Sequence, residues 1–438
     1  MSRPDIAPFK AIRYNSQKVK LENVVSPPYD VISPALQNEL YQKSPFNMVR
    51  IDYGKVQEGD QKGNDRYNRS QQSFTEWQNE QVLIRDETPS IYLYEQVYEA
   101  KVGDRKETRS RKGFYAAKNL QEFGKGNVLP HEKTLSGPKE DRFLLMQATS
   151  ANLSPIFSLY MDREKKVAQL LAPFYETEPL YDFENGGIRE KLWKLSDPAV
   201  ISKVQEALAD KKFFIADGHH RYETGINYRN SLKAQGDFSE DSSANYILMF
   251  FSEMSDPGLI ILPTHRVVKN WPNFQAAGFV EKLKTAFDVL ETGADSTKLT
   301  ARLEYHGKSH LVLGIAFKNE WIILTTKPES IASLHPALQK VDTAILHQVI
   351  LRQILGMKDE EERNPQHLSF VKDNALTLEA LQHPETSFVV MLNCPQMDVL
   401  EEVAAAGLIL PPKTTYFYPK ILTGLLIHPI DPRRRVTD

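Results

Sequence analysis

The stretch from residue 211 to residue 234 constrains this chain more than any other. Phe213-Phe214-Ile215 is a short apolar run of strand type, and residues 222–234 read as a helix. Between them lies Ala216-Asp217-Gly218-His219-His220-Arg221. A helix start leaves backbone N–H groups outside the helical ladder and carries about half a positive charge, so it attracts anions. Gly218 permits a tight turn and a close backbone approach to a ligand. His219, His220 and Arg221 add side-chain donors at the same point, and a guanidinium suits bidentate phosphate contact. Asp217 can cap the helix or hold a metal ion against a phosphate. The composite is a phosphate-cradling turn with its own acid/base groups.

The rest of the chain mixes strands and helices. Residues 90–100 alternate as a strand, with 113–117 expected to pair with it. Residues 246–251 and 259–262 read as buried strands joined by the turn Ser255-Asp256-Pro257-Gly258. Thr264-His265-Arg266 is expected to end the second, where sheets present ligand groups. Beyond it the pattern predicts a helix at 279–287, strands at 309–317 and 321–326, an amphipathic helix at 342–355 and a strand at 386–393. At 438 residues the chain exceeds what one core usually serves. The expected class is α+β (mixed α/β), with a boundary between 265 and 275 that gives domains 1–268 and 269–438.

Composition removes several functions. Lys plus Arg total 54 against 57 Asp plus Glu, a net charge of −3, which argues against general nucleic-acid or anionic-lipid binding. Cys394 is the single cysteine, so an intrachain disulfide and cysteine-built metal sites are excluded. The apolar runs fall short of the ~18 residues a membrane helix needs. The start, Met1-Ser2-Arg3-Pro4-Asp5, lacks an apolar leader, so a cytoplasmic protein is expected. Neither a GxxxxGK[ST] loop nor a GxGxxG fingerprint occurs, so any nucleotide site is of another kind.

Other strings carry chemistry. Pro130-His131-Glu132-Lys133-Thr134 and Gly137-Pro138-Lys139-Glu140-Asp141-Arg142 bring acid/base groups and cations together ahead of a helix expected at 141–149. That mixture suits phosphoryl transfer, where positioning and charge stabilisation dominate. Ser136-Gly137-Pro138-Lys139 matches an acyl-transfer signature, but Gly-Pro disfavours the helical turn that chemistry uses. Ser26-Pro27-Pro28-Tyr29-Asp30 is a rigid turn ending in a carboxylate suited to a general base. Lys413-Thr414-Thr415-Tyr416-Phe417-Tyr418-Pro419-Lys420 interleaves cations with aromatics, suggesting nucleotide-phosphate contact or strand packing. His335 and His347, near Asp342, are candidates for a second polar cluster, against a default of surface or internally satisfied roles.

These strings carry a family resemblance. Pro8-Phe9-Lys10-Ala11-Ile12-Arg13, Val25-Ser26-Pro27-Pro28-Tyr29-Asp30, the 130–142 strings, Asn152-Leu153-Ser154-Pro155-Ile156-Phe157, Leu262-Pro263-Thr264-His265-Arg266 and the 413–420 string are similar to the family called domain of unknown function 1015. Asp217-Gly218-His219-His220-Arg221 resembles the phosphate-binding motif of the ParB/sulfiredoxin superfamily, including its free-serine kinases. The resemblance implies a ParB/sulfiredoxin-like N-terminal core and a phosphotransferase using ATP or ADP with Mg2+, serine or phosphoserine leading the substrates. It implies Asp30 as the nearest counterpart of the acidic residue that activates the substrate hydroxyl. The full expectation assigns Asp30, His131, Glu132, Asp217, His219, His220 and Arg221 to catalysis, and Asp217 to the metal. It assigns Gly218, Lys139, Arg142, Thr264, His265, Arg266, Lys413 and Thr414 to phosphate or nucleotide. A phosphomonoester phosphatase, with His131 or His220 protonating the leaving oxygen, and a non-catalytic ParB-like nucleotide-binding regulator are the alternatives. The expected partners are a small substrate and a nucleotide, not membrane or nucleic acid; a homo-oligomer is left open.

Overall fold

A computed structural model describes residues 3–102, 105–130, 136–236 and 238–438. The chain forms two compact units. The first draws on residues up to Leu129, on the chain from helix Ser136–Thr149 to Ile260, and on the returning segment Pro419–Asp438; the second spans Ile261–Tyr418. The last twenty residues, expected within a domain at 269–438, belong to the first unit, where Ile427 pairs with Ile12 and His428 with Asn152. Among the described residues no helix is long and apolar enough to cross a membrane.

The first unit is organised on a nine-stranded mixed sheet. Its strands are β1 (Ile6–Ala7), β2 (Ile91–Val102), β3 (Arg105–Asn119), β4 (Val128–Leu129), β5 (Ile156–Tyr160), β6 (Tyr181–Asn185), β7 (Ile188–Leu195), β8 (Phe213–Asp217) and β9 (Tyr246–Glu253). They run in the order β4-β8-β5-β9-β3-β2-β7-β6, with β1 beside β3. The expected pairing of 113–117 with 90–100 is present as the long antiparallel hairpin β2–β3. Strand β9 lies between β5, parallel to it, and β3, antiparallel. Its continuous apolar run follows from burial on both faces. Ile247, Met249 and Phe251 enter a core with Leu93, Phe114 and Ile215, while Phe250 packs on the opposite face against Tyr94, Tyr115 and Phe157.

Helix α1 (Ser136–Thr149) begins earlier than expected. Pro138 falls in its first turn, where a missing N–H costs little, so Gly-Pro does not delay the helix. It packs along α2 (His219–Ala234), the helix that follows β8. Tyr222 and Ile226 turn α2 onto the core, and a Cβ at Gly225 would stand 2.6 Å from Ile247 Cδ1, so glycine allows this close approach.

The second unit holds a six-stranded sheet of antiparallel pairs: β10 (His265–Lys269), β11 (Phe287–Gly293), β12 (Val312–Ala316), β13 (Trp321–Thr326), β14 (Leu368–Val371) and β15 (Thr386–Met391), in the order β11-β13-β12-β15-β10-β14. Alternate residues feed two cores, Val268, Ile315 and Val390 on one face and Val267, Ala316 and Val389 on the other. The helix expected at 279–287 is Ala276–Leu283, and Phe287 instead opens β11. The one expected at 342–355 starts as α-helix at Asp342–Ile345 and continues as π-helix over Leu346–Ile354. Thr264-His265-Arg266 starts a strand rather than ending one. Pro263, without an N–H, interrupts the ladder after Ile260–Leu262, and His265 opens β10.

On the face of the first sheet opposite its main core, Glu190 is fully buried. Burial raises its carboxyl from 4.5 to about 7, against the lowering pull of hydrogen bonds from Tyr94 and Gln96 and of the Arg111 charge. The folded chain therefore binds more protons here than the unfolded chain between these values. The stabilisation is complete below pH 4.5 and is lost as pH rises through about 7. Denaturant unfolding across that window should show stability falling with pH, and Glu190→Gln should remove part of the slope; an unchanged slope would refute this account.

Candidate functional site

Strand β8 delivers Asp217 to the sheet end, and Gly218 turns the chain into α2 with φ 97° and ψ 27°. That left-handed conformation favours glycine. A second constraint adds to it, because a Cβ there would meet the Arg221 guanidinium at 3.0–3.1 Å. Arg221 folds back over the bare glycine. Its Nη2 donates to Asp217 Oδ2 at 2.9 Å, and its Nη1 to Ser154 Oγ at 2.7 Å and to the Pro155 carbonyl. Thr423 Oγ1 donates to Ser154 Oγ at 3.0 Å, and Lys420 Nζ lies 3.3 Å from Asp217 Oδ1. Asp217 thus faces a different cation on each oxygen. Arg221 is buried and held by these internal partners, so it shapes the turn. His219 is buried and His220 half-buried at the first positions of α2.

A second charged group stands beside this turn. Arg142, 6% exposed, donates from Nη1 to Asp52 Oδ1 at 3.0 Å and pairs through Nη2 with Asp141 Oδ2 at 2.6 Å. Its guanidinium lies 4.1 Å over the Tyr29 ring. Burial raises the Asp52 carboxyl, with Arg142 and Arg221 pulling the other way. Burial would also raise Asp141, but Arg142 and Arg66 outweigh it and hold that carboxyl below its ordinary value. The Tyr29 hydroxyl is pushed up to about 12 by burial, and it senses the charges of Arg142, Arg221, Asp30 and Asp217. Those five side chains therefore share one neighbourhood, with Asp30 exposed at its rim in the 3-10 turn Tyr29–Val31. A cavity of about 30 Å³ lies between the two groups, lined among others by Asp52, Arg142, Asn152, Ser154 and Arg221. Asp52 Oδ2 is buried without a hydrogen-bond partner among the described residues. Lys139, on α1, reaches Glu223 of α2 at 2.8 Å.

The structure thus brings Asp30, Lys139, Arg142 and the 217–221 turn together within the first unit. His131 and Glu132 lie outside the described residues. Thr264, His265, Arg266, Lys413 and Thr414 lie in the second unit with contacts of their own. His265 Nε2 is 2.6 Å from Asn374 Oδ1, and burial lowers its pKa to about 4, so it is a neutral core histidine. Arg266 donates to the carbonyls of Thr264 and Pro412, the latter at 3.0 Å. Thr414 is buried against Thr343 at 3.1 Å, and Lys413 is exposed with φ 58°. The 413–420 string is divided: Pro419 and Lys420 belong to the first unit. His347 pairs with Glu362 at 3.1 Å inside the second unit. Asp52, Ser154, Lys420 and Thr423 escaped assignment from the sequence. Asp52 follows the apolar Val49 and Ile51 on a four-residue helix, and its one cue is a charge in an otherwise buried stretch.

The model of the family described as protein of unknown function DUF1015 matches residues 6–344. The chain belongs to that family. No curated protein matches it. Similar solved structures include a free serine kinase in complex with AMP, 12% identical with a TM-score of 0.34 over 68% of this chain and 89% of that one. A conserved hypothetical protein from Pyrococcus furiosus is 15% identical, with a TM-score of 0.34 over 68% and 92%. SbnI with C-terminal truncation from Staphylococcus aureus is 11% identical, with a TM-score of 0.35 over 68% and 82%.

Two substitutions test the geometry of this family member. Gly218→Ala combines the positive-φ penalty with a collision against Arg221, and should lower stability by about 1–2 kcal/mol or more in thermal unfolding. Arg142→Leu leaves Asp52 buried without its partner and should cost about 3–5 kcal/mol. A neutral result for Gly218→Ala would show that Arg221 does not fold over a left-handed residue 218, and one for Arg142→Leu that the ion pair with Asp52 is not made.

Proposed function

We propose that this protein is a phosphotransferase acting on a small hydroxylated metabolite, with serine or phosphoserine first, and with ATP or ADP as the nucleotide partner. The observation that carries the reading is the turn at Gly218, where the start of α2 meets Lys420, Asp217 and the Arg142 group within one unit. Helix-start amides and nearby cations suit a phosphate, and the exposed carboxylate of Asp30 suits a base.

In this mechanism the amides at Gly218 and His219, with His220, hold the transferring phosphate. The substrate hydroxyl oxygen bonds to the terminal phosphorus, the bond from that phosphorus to the nucleotide oxygen breaks, and the hydroxyl proton passes to Asp30. Lys420 and Lys139 offset the charge that spreads over the phosphoryl oxygens. Arg221 and Arg142 hold Asp217, Asp52 and Tyr29 in place around them. The second-unit residues Thr264, His265, Arg266, Lys413 and Thr414 take no part in this scheme.

Magnesium, when bound, would neutralise phosphate oxygens. Among the described residues no three His, Cys, Asp or Glu side chains converge as a cage, and Asp217 already faces two cations. The residues present fit magnesium arriving on the nucleotide, held mainly by phosphate oxygens and water.

Purified protein with serine, magnesium and either ATP or ADP should form phosphoserine by mass spectrometry, or run the reverse reaction from phosphoserine. Asp30→Asn and His220→Ala should each lower kcat by about 100-fold or more. Absence of turnover in both directions, with nucleotide binding unchanged in His220→Ala, would end this reading. Release of inorganic phosphate from phosphoserine without nucleotide would replace it with a phosphatase.

A further inference from the structure

Strands β3, β2 and β7 place Arg111, Gln96 and Glu190 directly opposite one another in register. All three are fully buried. The result is a polar row across three strands on the face opposite the main core. Arg111 Nη2 donates to Gln96 Oε1, Gln96 Nε2 donates to Glu190 Oε1 at 3.2 Å, and the Tyr94 hydroxyl donates to Glu190 Oε2. Burying charges in this way costs desolvation that an apolar row of similar volume would avoid. The row does something apolar side chains cannot do. Arg111 Nη2 also donates to the Pro419 carbonyl at 2.6 Å, and Gln96 Nε2 to the Lys420 carbonyl at 3.2 Å.

Two successive carbonyls of the returning segment are therefore gripped from the sheet. The side chain of the second gripped residue reaches Asp217 at the Gly218 turn. The Arg111 guanidinium is itself fixed 4.8 Å over the Phe157 ring, on the strand that pairs with β8. We propose that Arg111, Gln96 and Glu190 are positioning residues that fix Lys420 against Asp217, so that the last segment of the chain supplies the site with a cation. The importance of Lys420 for turnover rests on the phosphotransferase reading; the fixing of Lys420 does not.

The test follows Lys420 directly. Lysines of the full-length protein are reductively 13C-methylated, the Lys420 resonance is assigned with Lys420→Arg, and Asp217→Asn supplies its position without the ion pair. Gln96→Leu should move the Lys420 resonance toward the Asp217→Asn position and leave the other lysine resonances in place. Gln96→Met, closer in shape, should do the same and serves if Gln96→Leu does not fold. In turnover, Lys420→Ala and Gln96→Leu should each lower kcat/KM about tenfold, and the double variant should be no worse than Lys420→Ala alone. A Lys420 resonance unmoved by both Gln96 variants, or a Gln96→Leu loss that multiplies in full on top of Lys420→Ala, would overturn the proposal. If the wild type does not turn over, the phosphotransferase reading fails while the resonance still decides whether the row fixes Lys420.

Discussion

A side-chain carbon at position 218 would stand 3.0 Å from the Arg221 guanidinium, and the backbone there already has a positive φ. Both facts make bare backbone the condition for Arg221 to fold back over the start of its own helix. Once folded back, Arg221 ties Asp217 to Ser154 and Pro155, so the end of β8, the start of α2 and the chain entering β5 are fixed to one another. The other half of Asp217 is met by Lys420, which comes from the far end of the sequence. A helix start that would present only amides becomes a turn with an ordered carboxylate and cation around it.

The second charged group obeys a harsher rule. Arg142 and Asp52 are almost wholly withdrawn from water, and neither could be buried without the other. Asp141 and the Tyr29 ring complete the surroundings of the guanidinium. The electrostatics therefore divide by burial. Buried pairs hold geometry, while Asp30 is exposed and Lys139 half-buried at the same end of the sheet.

Much of the local structure was legible in the sequence. The apolar runs at Phe213 and Tyr246 are strands, Tyr222–Ala234 lies in a helix, and residues 113–117 pair with 90–100, because periodicity and turn residues report local burial directly. The misreadings share a cause. Pro138 sits in the first turn of a helix that tolerates it, and Pro263 restarts the ladder so that His265 opens a strand rather than ending one. A histidine or arginine in a motif-like string looks the same whether it faces a ligand or a buried carbonyl. His265 and Arg266 face protein partners in the second unit.

By itself, the sequence determined the mixed strand and helix composition, the glycine turn into a helix, the family, and the gathering of both charge signs into a few short strings. Those properties depend on neighbours within a few residues, where side-chain spacing and backbone preference suffice. Only the tertiary structure decided that Arg221 is spent inside the turn, that Asp52 stands beneath Arg142, and that Lys420 returns across some two hundred residues to Asp217. Such pairings are set by strand order and by the register of Arg111, Gln96 and Glu190 across three strands. No local pattern encodes that register, because the energy that fixes it comes from burying the whole sheet at once.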